Sequence, residues 1–164
     1  MIKKILLALA IVLVVIQFIR PAKNNAGGVQ YSLPTRYRVP PEVNVIIKSS
    51  CMDCHSNVTR YPWYAEVQPA AWWLANHVKE GKKNLNLTEF TNHSIAYQNH
   101  KFEEIIEVIQ EEEMPLPSYT WFGSHPEANL TAEQRETMVI WAQSQMAMIA
   151  ERYPADSLVM KRRN

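Results

Sequence analysis

Three residues of this 164-residue chain have types and spacing that point to a defined chemistry. They stand in the run Cys51-Met52-Asp53-Cys54-His55. Cysteines at i and i+3 share one face of a helical turn, so two sulfurs point the same way with an imidazole beside the second. This C-x-x-C-H spacing is that of covalent haem c attachment. Two thioethers would take the vinyl groups of one porphyrin edge, and the histidine would face the iron. Both cysteines of the chain lie in the motif. The competing readings are a local disulfide, a thioredoxin-like redox pair and a zinc site. No βαβ pattern surrounds the pair, and zinc would need a fourth ligand that no second C-x-x-C or H-x3–5-H supplies.

A haem iron takes a second axial ligand, or leaves that position open to a gas or a peroxide. Met114 is the leading candidate, in Glu111-Glu112-Glu113-Met114-Pro115-Leu116-Pro117. A methionine at a helix end before proline puts its thioether on a fixed, non-helical segment, and His/Met ligation raises the reduction potential. The plain alternative is that Met114 is one of seven methionines filling core space. His77, on a helix with Trp72 and Trp73, is the rival ligand and would make a low-potential bis-histidine iron. His93, His100 and His125 read as surface residues. A porphyrin also needs an apolar wall and donors for its propionates. Arg60, Trp63 and Tyr64 are the candidates for contact with it, against the plain reading of ordinary core and surface.

The elements that must position these groups read as helices. Val43, Ile46, Ile47 and Cys51 recur at helical spacing and run into the cysteine pair. Pro69 opens a second helix that Gly81 is expected to stop, and Thr88 is expected to cap a brief third over 89–95. Phe102, Ile105, Ile106 and Ile109 form the cleanest stripe, ended by Pro115 and Pro117. Thr131-Ala132-Glu133-Gln134 is a capping box opening a long helix with Met138, Trp141, Ala142 and Ile149 inward. No strand alternation appears, so the class expected is all-α. Glu103, Glu104, Glu107 and Glu111–Glu113 form an acidic face. Solvation is its default reading, and a docking patch for a basic partner is the sharper one.

Composition narrows the rest. Seventeen Lys and Arg against sixteen Asp and Glu leave a net charge of +1, which offers nucleic acid no electrostatic footprint. Four glycines and no phosphate-cradling motif argue against nucleotide enzymes. Ile5–Ile19 is an apolar run preceded by Lys3 and Lys4 and interrupted by Gln17. At helical rise it reaches roughly 22 Å, short of the ~30 Å hydrocarbon core unless flanking Lys and Arg snorkel. Residues 1–20 are therefore expected to be an uncleaved membrane anchor, a single transmembrane helix, with a removed export signal as the alternative. Residues 21–41, with Asn-Asn, Gly-Gly and prolines, read as a flexible linker. Residues 42–164 form the expected mono-haem domain.

The string Cys51–Asn57, then Pro62-Trp63-Tyr64, Pro69, Gly81 and Met114-Pro115, resembles the small bacterial family of haem-binding-domain proteins, with a class I cytochrome c-like pattern. The resemblance covers about residues 42–150. It implies Cys51 and Cys54 as thioether sites, His55 as proximal ligand and Met114 as distal ligand, with one haem c and its iron per chain. It implies a haem module and names no reaction. Thioether formation also implies the periplasm, so the haem domain is expected to face it from the inner membrane, with redox proteins as partners. A membrane-anchored electron carrier is the function expected. A peroxidase-like enzyme or a gas or redox sensor with a labile distal ligand is the runner-up, and a haem-free thiol module is third.

Overall fold

The computed structural model describes residues 1–121 and 124–160, and they form six α-helices with short 3₁₀ turns between them. The helices are α1 (Ile2–Ile16), α2 (Pro41–Ser50), α3 (Ala70–Asn84), α4 (Ile95–Gln110), α5 (Pro117–Thr120) and α6 (Ala132–Arg152). Among the described residues the sole β feature is an isolated antiparallel bridge between Asn25 and Val58. The all-α reading holds.

The core forms where α4 and α6 pack together and α2 closes the end. Phe102 and Ile109 from α4 meet Met138, Trp141, Ala142 and Ile149 from α6, as the sequence stripes predict. Phe102 is the hub. Its ring lies edge-on to Tyr37, Phe90 and Trp141, with centroids 4.9, 5.2 and 5.6 Å away. Edge-to-face pairs of this kind add about 0.5–1.5 kcal/mol each to the burial of the rings. The capping box at Thr131 forms as expected, the hydroxyl accepting from Gln134 N and the Gln134 amide answering to Thr131 N.

Three expectations change. The stretch expected as a flexible linker is packed into the domain. Leu33 and Tyr37 are core residues, Leu33 N donates to Leu87 O, and the buried Tyr37 hydroxyl donates to Gln98 at 2.7 Å. Glycine and proline mark turns in this stretch, and two large apolar side chains between those turns are enough to hold it down. The helix expected to stop at Gly81 runs on to Asn84. The helix expected over 89–95 shrinks to a 3₁₀ turn at Phe90–Asn92, and Ser94 rather than Thr88 provides a cap, for α4.

At the N-terminus α1 has no buried residue. Its 15 residues reach roughly 22 Å by helical rise. Among the described residues no helix is long and apolar enough to cross a membrane. The single transmembrane helix is therefore not supported.

Candidate functional site

The cysteine motif is an extension of α2. Cys51 N donates to Ile47 O, and Cys54 N and His55 N both donate to Cys51 O, at 3.2 and 2.9 Å. The chain thus makes one more helical turn, which puts both thiols and the imidazole on a rigid frame. Nothing local requires that frame to stay put. The loop 85–88 clamps it from outside. Leu87 N donates to His55 O, Asn57 N donates to the Thr88 hydroxyl, and the Asn86 amide donates to Asn57 Oδ1.

His55 shows what the frame is for. Its Nδ1 lies 3.0 Å from the carbonyl oxygen of Leu85. A carbonyl can only accept, so Nδ1 carries the proton and Nε2 keeps its lone pair free for a metal. Burial pushes the imidazole pKa below its ordinary value, which favours the neutral, ligating form. Burial also pushes the thiols up, Cys51 to about 12 and Cys54 to about 11, helped by Cys54 and Asp53 respectively. These are protonated, unpaired thiols and lack the lowered pKa of a thioredoxin-like nucleophile. Among the described residues no group of three or more His, Cys, Asp or Glu side chains is placed to hold a metal ion.

Two clefts flank the motif. His55, Met114 and Pro115 line both. Cys51 opens onto the first, whose wall is apolar: Ile47, Ile105, Val108, Leu130 and Trp141. Cys54 opens onto the second, with His77, Gly81 and Tyr119. The donor set therefore suits a large apolar disc held by two sulfurs, with a neutral imidazole and a thioether for its metal.

Met114 reaches this position because α4 ends at Gln110 and the chain reverses through Glu112, which has a φ of 58°. Met114 N then donates back to Val108 O at 3.2 Å. Arg135 of α6 secures the reversal by donating to both Ile109 O and Met114 O, at 3.1 and 3.0 Å. The acidic residues Glu111–Glu113 lie on this reversal, beyond the last helical residue. On α4 itself Glu104 is paired with Lys101 and His100, and Lys101 and Glu104 sit together at the edge of the first cleft.

Arg60, Trp63 and Tyr64 line neither cleft. Arg60 is held beside the second cleft by Asp53, which lines it, Trp63 is 80% exposed, and the Tyr64 hydroxyl bonds His125 at 3.1 Å. Proximity in sequence suggested contact; the 3₁₀ turn at Trp63–Glu66 contributes no residue to the lining of either cleft. His77 does line the second cleft, with its Nδ1 on the carbonyl of Trp73. His93 stacks on Tyr97, and His100 bonds Glu103.

Sequence reasoning passed over two residues that shape the site. Asp53, 7% exposed, accepts from Arg60 N, from the Arg60 guanidinium through both carboxylate oxygens, and from the Tyr119 hydroxyl at 2.7 Å. It thereby ties the cysteine turn to α5, the wall that follows Met114. A charged residue inside the motif was the available signal. Gly81 lets α3 cross the motif closely: a Cβ there would stand 2.7 Å from Cys54 O and 3.1 Å from Cys54 Cβ. Its role is close approach within a helix rather than termination.

Comparison with known proteins gives one match. A family model described as a haem-binding domain matches residues 11–144. No curated protein matches, and no solved structure matches.

Proposed function

Because the chain belongs to the haem-binding domain family, we propose that it is a mono-haem c-type cytochrome that carries electrons at the extracytoplasmic face of a membrane. When bound, haem c supplies a one-electron ferric/ferrous couple. The thiols of Cys51 and Cys54 would hold the porphyrin as thioethers, and His55 Nε2 and the thioether of Met114 would ligate its iron. The resulting arrangement is class I cytochrome c-like.

The carrying observation is that Cys51, Cys54, His55 and Met114, spread over 64 residues, converge on the two adjoining clefts. Leu85 holds the imidazole in its ligating tautomer, Arg135 holds the Met114 turn, and the apolar wall excludes water. A thioether ligand and a dry wall both favour the reduced iron and so raise the potential. Lys101, which lines the first cleft beside Glu104, is suited to a propionate. The exposed α1 suits attachment to a lipid membrane, and redox proteins are the expected partners, with the periplasm as the compartment in which thioethers of this kind are made.

The test is expression with a cytochrome c maturation system, followed by protein mass and visible spectra of the parent and Met114→Ala. The parent should weigh one haem more than its polypeptide and show the methionine–iron charge-transfer band. Met114→Ala should lose that band and bind carbon monoxide when reduced. A colourless parent of polypeptide mass overturns the proposal. A parent that binds carbon monoxide readily points to the peroxidase-like or sensing function instead.

A further inference from the structure

We infer that residues 17–23 fasten the haem domain rigidly to the bilayer surface, with Trp63, Trp72 and Trp73 seated in the headgroup layer of an anionic phospholipid membrane. The inference rests on the proposed attachment through α1 and adds where, and how firmly, the domain sits.

The junction carries more bonds than a tether needs. The Gln17 side chain donates to Gln68 O at 3.2 Å and accepts from Gln68 N at 2.9 Å. Ile19 O accepts from both Gln68 Nε2, at 3.0 Å, and Trp72 Nε1, at 2.8 Å. Arg20 and Lys23 then converge on Glu66, and Asn24 is held by Ser56, Thr59 and Tyr61. Gln17, Ile19, Arg20, Lys23 and Asn24 are thus all bonded to the domain before the chain reaches Gly27.

Geometry then sets the depth. Ile19 is three residues beyond the end of α1, so its carbonyl lies at most about 11 Å from that end. The polar layer on each side of a bilayer is roughly 5–8 Å thick. A helix held in the apolar layer therefore brings Ile19, and the indole of Trp72 bonded to it, to headgroup level. The segments joined by these bonds also carry exposed apolar side chains. Phe18 is 84% exposed, Trp63 80% and Trp73 44%, with Val67 also exposed. Tryptophan favours this interface because its ring is apolar and its N–H is polar. Charge agrees: Arg20 and Lys23 share the single carboxylate of Glu66, which leaves one positive charge facing anionic lipid.

The experiment uses the full-length, haem-loaded protein in phosphatidylglycerol-containing liposomes and in aligned bilayers of the same lipid. A lipid carrying a photoreactive carbene precursor at headgroup depth should label the peptide holding Trp63–Trp73 as well as α1, and leave α6 unlabelled. Aligned bilayers should show linear dichroism of the Soret band, since a fixed domain fixes the porphyrin plane. The double variant Gln17→Ala, Trp72→Phe should keep the label on α1 and lose at least half of that dichroism. Label confined to α1 with no dichroism overturns the inference and leaves attachment standing. A protein that does not partition into the liposomes at all removes the attachment, and this inference with it.

Discussion

Replacing Gly81 by alanine sets two effects of opposite sign against each other. Gly81 lies inside α3, and for an exposed helical position Gly→Ala stabilises by about 1 kcal/mol. Here the new methyl would meet Cys54 O at 2.7 Å, Cys54 C at 3.2 Å and Cys54 Cβ at 3.1 Å. Ordinary contact requires one helix or the other to retreat by about 0.7 Å. The obstacle is backbone, not the end of a flexible side chain. That backbone is itself pinned by the bonds of Cys54 N and His55 N to Cys51 O. Overpacking of a rigid contact costs about 1–3 kcal/mol, so it outweighs the propensity gain. Gly81→Ala should therefore lose about 1 kcal/mol of stability, a fall in Tm of about 2–4 °C for a chain of this size. The haem-loaded protein, unfolded in guanidinium chloride with the Soret band and far-UV circular dichroism as probes, provides the measurement. Under the proposed thioether attachment, the fraction of chains carrying covalent haem should fall as well, because the shift lands on the Cys54 turn. An unchanged or raised midpoint, with full haem attachment, would refute the close-approach reading and restore Gly81 as an ordinary helical glycine.

Asp53→Ala should cost about 2 kcal/mol in urea unfolding, chiefly by leaving the Tyr119 hydroxyl without its acceptor. The Arg60 pairs count for little because that side chain is mostly exposed. Combined with Tyr119→Phe, the two losses should fall short of additive by at least about 0.5 kcal/mol, and strict additivity would deny the link. In the haem-free chain, Cys54 should react with iodoacetamide at pH 8 at least about 100-fold more slowly than a free cysteine, since its pKa is pushed up to about 11. Mass spectrometry of timed samples checks this, and reaction at the free-cysteine rate contradicts the burial of the thiol. His55 resists protonation in the fold but accepts a proton near pH 6.5 when unfolded. Proton uptake thus favours the unfolded chain, and stability of the haem-free protein should fall as pH drops below about 6.5. Melting curves from pH 7.5 to 5 should show a steeper loss for the parent than for His55→Gln, and equal slopes would sink the assignment.

The parts of this molecule written in patterns of three to seven residues were legible without coordinates. The C-x-x-C-H turn, the Phe102–Ile109 stripe, the Thr131 capping box and the inward face of α6 all rest on neighbours along the helix, and the backbone period alone places them. The end of α4 ahead of Pro115 was readable for the same reason, although the chain leaves the helix at Gln110, five residues before that proline. What remained hidden depends on contacts between residues far apart in sequence, for which no local period exists. Arg60, Trp63 and Tyr64 were expected in contact with the porphyrin because they follow the motif closely, and the folded chain leaves all three out of the cleft linings, with Arg60 held next to the second by Asp53. The linker over 21–41 looked free because its glycines and prolines deny it a helix, although Leu33 and Tyr37 had enough apolar area to join the core. The Leu85 carbonyl on His55, the Arg135 clamp on Met114 and the passage of α3 across Cys54 are likewise properties of packing. Each needs two distant segments within a few ångströms of one another, and that distance comes into being when the chain closes on its core.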